Sequence, residues 1–276
     1  MQDTIQLERS TTEDSSSKIR LGEYPYTYAR VTVMRTLLIK PEQYDRLLKM
    51  SLPEITRYLE ETEYKKEIDQ LALNYSGIDL IEQALNKNIV KTFEKLRRIS
   101  NEALLELINV FLMRKDIYNL KSILRGKFTT SSSKEIESVL VPVGMLNRED
   151  LSSLMKLDSM EDILRHKSVA SVISFNYLKP YLEQLKNDKD IAKLENALDK
   201  YYFSSLFNFA ARLPTGATIF KGFISTELDI LNIMTILRLR REGISTSEIK
   251  KFLISSNDER EQRKLYYLFI NIFGAN

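Results

Sequence analysis

Apolar positions recur every three or four residues along most of the chain, the spacing of helices that bury one face. Ile81, Leu85, Ile89, Phe93 and Leu96 follow it, and so do Leu104, Leu107, Ile108 and Phe111. These runs predict long amphipathic helices packed on neighbours. Ahead of them, Tyr24 to Leu38 predicts a helix carrying Val31, Met34 and Leu38 on one side. Ser51-Leu52-Pro53-Glu54 predicts another running to about Leu59, because the serine, the early proline and the glutamate together satisfy and complement the unpaired N–H groups of a first turn. Val139-Leu140-Val141-Pro142-Val143 is the strand-like run, and Pro142 argues against a central strand. The expected class is all-α.

The pattern is also duplicated. Asp116-Ile117-Tyr118-Asn119-Leu120 through Arg125 is answered, 113 residues later, by Asp229-Ile230-Leu231-Asn232-Ile233 through Arg238. Ile81 to Lys87 returns as Leu194 to Lys200 in the same register, and Ser132 with Glu135 returns as Ser245 with Glu248. Those last pairs predict capping boxes at matched positions. Further start signals stand at Asn147 to Asp150 and at Ser159 to Asp162, and Leu194, Leu198, Tyr201 and Tyr202 open the returning long helix. Repeated helical units of this kind build scaffolds and binding surfaces. The expected division is a flexible polar extension over 1–20, a first helical module over 21–127, a second over 128–240 and a reduced third segment over 241–276.

Within the returning helix, Ile117, Leu120 and Leu124 form an apolar stripe, and Ile230, Ile233 and Leu237 form its copy. Both stripes are expected in the core. Beside them run Asp116, Asn119 and Ser122, matched by Asp229, Asn232 and Thr235. Two readings of this polar edge are open. Either the side chains hydrogen-bond helix to helix where modules meet, since buried polar groups need partners, or they line a shared opening that a partner contacts.

Composition narrows the chemistry. With 41 basic and 38 acidic side chains in 276 residues, the charges nearly cancel, so no basic field for nucleic acid is implied. The chain has 8 Gly and 6 Pro, where average usage would give roughly 19 and 14, and no GxGxxG or GxxxxGK[ST] loop to cradle phosphate. Pro214 to Thr218 reads as a bend between helices. Cysteine is absent, which removes disulfides, thiolate metal sites and thiol catalysis. The one histidine, His166, reads as a surface residue in a charged helical stretch. No aspartate-rich cluster for a metal-diphosphate is present, and Asn187 to Asp190 reads as a solvated turn. Lys95, Arg97 and Arg98, like Arg238, Arg240 and Arg241, fall where cations complement a helix's carbonyl end. Apolar runs fall short of the roughly 20 residues that cross a bilayer, and Met1 to Arg9 lacks a signal-peptide core. No catalytic residue, cofactor or metal is expected, and no transmembrane insertion.

Taken in order, Tyr26-Thr27-Tyr28-Ala29-Arg30-Val31, Leu59-Glu60-Glu61-Thr62-Glu63-Tyr64, Asp116 to Lys127 and Glu227 to Asn232 resemble the C subunit of archaeal-type and bacterial vacuolar-type ATP synthases, a relative of the vacuolar pump's d subunit. The resemblance covers roughly residues 21 to 255. It implies a funnel-like array of three similar helical modules in pseudo-threefold arrangement. It also implies a non-catalytic rotor subunit on the cytoplasmic face of the membrane, whose partners are the central-shaft subunits and the membrane proteolipid ring. Arg30, Asp116, Asn119, Asp229 and Asn232 are the candidate partner contacts. The alternative from the repeats alone is a free-standing adaptor that binds peptide segments.

Overall fold

A computed structural model of the chain describes residues 24–213 and 218–254. Among them the regular elements are all helices, without a strand. Helices α1 (Pro25–Thr36), α2 (Pro41–Leu47), α3 (Leu52–Glu60) and α4 (Lys65–Leu71) lead into the long α5 (Gly77–Ile99) and α6 (Glu102–Phe128). Short helices follow: α7 (Ser133–Val139), α8 (Arg148–Met155), α9 (Met160–Arg165), α10 (Lys167–Ala170) and α11 (Phe175–Asp188). The long α12 (Ala192–Arg212) and α13 (Thr218–Arg241) come next, then α14 (Thr246–Phe252). The expected extension over 1–20, the bend at Pro214 to Ala217 and the pair Tyr266-Tyr267 lie outside the described residues.

The duplication is three-dimensional. Helices α7 and α14 have the same bounds displaced by 113 residues, and α5 with α12 and α6 with α13 end at matched positions. The turns that end the long helices match as well. Ser131 N donates to Gly126 O at 2.8 Å and Thr130 N to Lys127 O at 3.4 Å, while Ile244 N donates to Leu239 O and Gly243 N to Arg240 O, both at 3.0 Å. This is a left-handed C-terminal turn that returns the last carbonyls to partners. The second copy places glycine at the left-handed position (φ 76°), whereas the first places Thr130 there (φ 56°).

Local signals account for the starts. Asn101 Oδ1 accepts from Leu104 N at 3.0 Å to open α6. Ser132 and Glu135 form a reciprocal box at α7, as do Asn147 and Asp150 at α8. At α14 only half of the expected box is made. The Ser245 hydroxyl accepts from Glu248 N at 3.4 Å, but the Glu248 carboxylate pairs with Lys251 instead of reaching back. His166 is not inside a helix: it lies between α9 and α10, where its Nδ1 caps Ser168 N. Leu38 falls beyond the end of α1 and is exposed, so it extends no stripe.

The main core is built by α6 to α13, around Leu120, Leu124, Leu164, Leu178, Leu194 and Leu198. Its centre is the packing of α12 along α6, with α11 and α13 against α12. A smaller cluster, Leu59, Ile68, Leu80 and Ala84, holds α3, α4 and α5 together, and α5 also packs on α1. The long α12 thus covers the inner long helix α6, whose counterpart in the second copy is α13, whereas α5 packs on α1 without burying any of its residues.

One sequence expectation fails here. The first-copy stripe is buried, with Ile117 at 2% exposure and Leu124 at 0%, but the matched Ile230 and Leu237 are 56% and 52% exposed. Sequence periodicity reports which side of a helix is apolar and not whether anything packs on it. In the first copy α12 does so, and the second copy has no equivalent cover among the described residues.

Candidate functional site

The matched polar edges close each copy internally. Asn119 Nδ2 donates to Val141 O at 2.9 Å and its Oδ1 accepts from Val141 N at 2.9 Å. Asn232 makes the same two bonds with Ile254, at 2.8 and 3.0 Å, again 22 residues downstream. A side-chain amide offers one donor and one acceptor in the spacing of a backbone unit, so it pairs with an extended residue as a neighbouring strand would. Leucine or alanine at 119 would strand the buried Val141 N–H, at about 1–3 kcal/mol, while Val141 O would keep its bond from Val143 N. The run that looked strand-like in sequence is therefore extended backbone past α7, paired to a side chain in place of a sheet.

Asp116 completes the first clamp. Its carboxylate accepts from Met145 N at 2.7 Å and Leu146 N at 2.9 Å. Gly144 is required beside it, because a Cβ there would come within 2.0 Å of Asp116 Oδ1. Arg97 braces the same loop, donating from Nη2 to Gly144 O at 2.8 Å and from Nε to Asn109 Oδ1 at 3.1 Å. Burial raises the Asp116 carboxyl to about 6, against the pull of two backbone N–H groups and Arg97.

Contacts between the copies are ionic at the edges and apolar within. Lys121 Nζ on α6 donates to Asp199 Oδ1 on α12 at 2.7 Å, and Arg125 makes a two-pronged pair with Glu195 at 2.9 and 2.7 Å. Burial raises the Asp199 carboxyl even with Lys121 beside it. Arg114 pairs with Glu227 at 2.5 Å, and these two residues occupy equivalent positions of the repeat. A groove of about 350 Å³ runs between α6, α12 and α13, with Tyr202 and Phe203 on one side and Ile230, Met234 and Arg238 on another.

The five candidate residues are thus in different settings. Asp116 and Asn119 converge on one buried loop, each at 0% exposure, and Asn232 at 2% serves its own copy. Their partners are backbone groups in the loop downstream of each long helix, in place of side chains on another helix. Asp229 is half-buried and partnered. Arg30 is exposed on α1. Sequence reading assigned Arg97 to helix-end stabilisation and missed its hold on Gly144. It also missed the ion pairs of α6 with α12 and of α6 with α13, which no helical period marks. Among the described residues no group of His, Asp or Glu is arranged to hold a metal. No described helix is long and apolar enough to cross a membrane.

Comparison with known proteins fits this architecture. A family model described as "ATP synthase (C/AC39) subunit" matches residues 27–267. The chain belongs to that family. It is similar to the C subunit of the A-type ATP synthase of Methanococcoides burtonii, 37% identical over 84% of this chain and 64% of that protein. It is likewise similar to the corresponding C subunit of Methanosarcina acetivorans, 37% identical over 91% of this chain and 69% of the relative. That of Archaeoglobus fulgidus is 35% identical over 88% and 69%. The chain therefore spans about two thirds of the length of the curated relatives it matches.

Proposed function

We propose that the chain acts as a non-catalytic central-stalk component of an A/V-type ATP synthase, joining the rotating shaft to the membrane proteolipid ring and transmitting torque between them. The family match supports membership of the complex. The rotor role rests on one observation, the ion pair between Arg114 and Glu227 at equivalent positions of two copies. An axis relating like units brings equivalent positions together, and long helices arranged about such an axis make a collar. Stiffness follows from the same structure, since each inner helix is clamped to its own downstream loop through Asn119 or Asn232. The module bounds 21–127, 128–240 and 241–276 are proposed from the 113-residue register of the repeat, with each clamp tying a module to the start of the next. Arg30, exposed on α1, is the proposed partner contact. Asp116, Asn119, Asp229 and Asn232 remain candidate partner contacts, the first two and Asn232 acting through the loops they hold.

Membranes solubilised in mild detergent provide the test. With this role, a tagged chain recovers shaft and ring subunits together, and adding it to separated soluble motor and detergent-held ring yields one particle. Recovery free of ATPase subunits would sink the proposal. An open superhelix with a concave peptide groove, seen as an extended scattering envelope, would favour the adaptor reading instead.

A further inference from the structure

The uncovered stripe of α13 has a counterpart whose cover is known. In the first copy, Ile117, Lys121 and Leu124 lie under α12 with the exposed Arg125 at its edge, and α12 sets Glu195 against Arg125 and Asp199 against Lys121. In the second copy the same positions are Ile230, Met234, Leu237 and Arg238. Three are about half exposed, at 56%, 52% and 52%, and Arg238 is exposed with no ion pair among the described residues. Ile230, Met234 and Arg238 also form a wall of the groove that continues from the α6–α12 interface.

We infer that this face of α13 is a docking site for a partner amphipathic helix of the α12 type, acidic opposite Arg238 and apolar opposite Met234. The acidic residue follows from charge complementarity at the position where Glu195 meets Arg125. The apolar one follows from the single change of character along the stripe. Lys121 calls for Asp199, whereas Met234 would leave an aspartate at that place desolvated without a cation. Apolar residues at the positions of Leu198 and Tyr202 would fill the remainder, as they do between α6 and α12. Nothing in this face requires a rotor role, and a free helical unit would present the same stripe.

The chain has no cysteine, so Ile230→Cys in the full-length protein takes a single environment-sensitive dye on the face itself. The probe is a hydrocarbon-stapled helical peptide with the sequence of Ala192–Arg212 and the change Asp199→Leu, the staple placed away from Glu195, Leu198 and Tyr202. The expected result is a saturable blue shift. The peptide that keeps Asp199 should bind at least about tenfold more weakly. Arg238→Glu in the chain should weaken binding about tenfold, and Glu195→Arg in the peptide should restore it. Circular dichroism of each variant should match the parent, since every changed residue of the chain is exposed. Absence of a saturable shift, or equal binding of the two peptides, would overturn the assignment. So would a dye already blue-shifted at nanomolar chain, which would mean that the chain covers its own face. A shift growing with chain concentration alone would overturn it in favour of a second copy.

Discussion

Thr130 holds a left-handed backbone conformation that costs a β-branched residue energy and costs glycine little. Its counterpart Gly243 shows what the turn prefers. Thr130→Gly should raise stability by about 0.5–1 kcal/mol, read as a higher urea midpoint at unchanged slope. A lower midpoint would show that the threonine hydroxyl, which donates to Thr129 O at 2.7 Å, outweighs the strain. Asp116 supplies a second test. Its folded value, raised to about 6 by burial, lies above the ordinary 3.8, so folding favours the neutral acid. That contribution, up to about 3 kcal/mol, is complete below pH about 4 and is lost as pH rises through 6. Unfolding of the parent and of Asp116→Asn, compared from pH 4 to 7.5, should show the parent's advantage shrinking as pH rises. A constant difference would mean that the proton is not linked to folding.

At the level of elements, helices and capping turns were legible because their signals are local: a period of apolar positions, a serine three residues ahead of a glutamate. Burial of a given stripe was not, because it depends on a neighbour distant in sequence. Leu124 and Leu237 have the same place in the period, yet one is covered by α12 and the other is half exposed. Leu124→Ala should therefore cost about 2–5 kcal/mol, whereas Leu237→Gln should change stability by less than about 0.5 kcal/mol. Thermal melts of the two variants would check the contrast, and equal losses would show that α13 is covered in solution. The polar edge was legible as a matched pattern, but the backbone it bonds to, 22 residues on, was not. Asn119 and Asn232 were matched, but so were Val141 and Ile254, and pairing the two matches would have revealed the clamp.

For the whole molecule, the copies are joined by buried apolar surface and flanked by ion pairs. Arg125 and Glu195 form the best-aligned pair, but the guanidinium is 60% exposed, so solvent screens it. A double-mutant cycle with Arg125→Ala and Glu195→Ala should return a coupling of about 0.5–1 kcal/mol that fades as salt approaches about 1 M. A coupling insensitive to salt would indicate a pair more desolvated than the structure gives. The fold class was readable from sequence since the strand-like run at Val139 to Val143 carries Pro142 and the helical period dominates elsewhere. Juxtapositions such as Arg114 with Glu227 were not, because periodicity carries no information on which helices meet.

The amide clamps have a bearing on how the protein is made. Each closes a loop of 22 residues, and closing short loops costs little chain entropy. An inner helix and its companion can therefore acquire their native angle from a stretch that clears the ribosome early, before the opposing half has been translated. Folding in sequence from the amino end, each unit self-closed as it emerges, keeps apolar faces of unfinished halves from meeting the wrong mate.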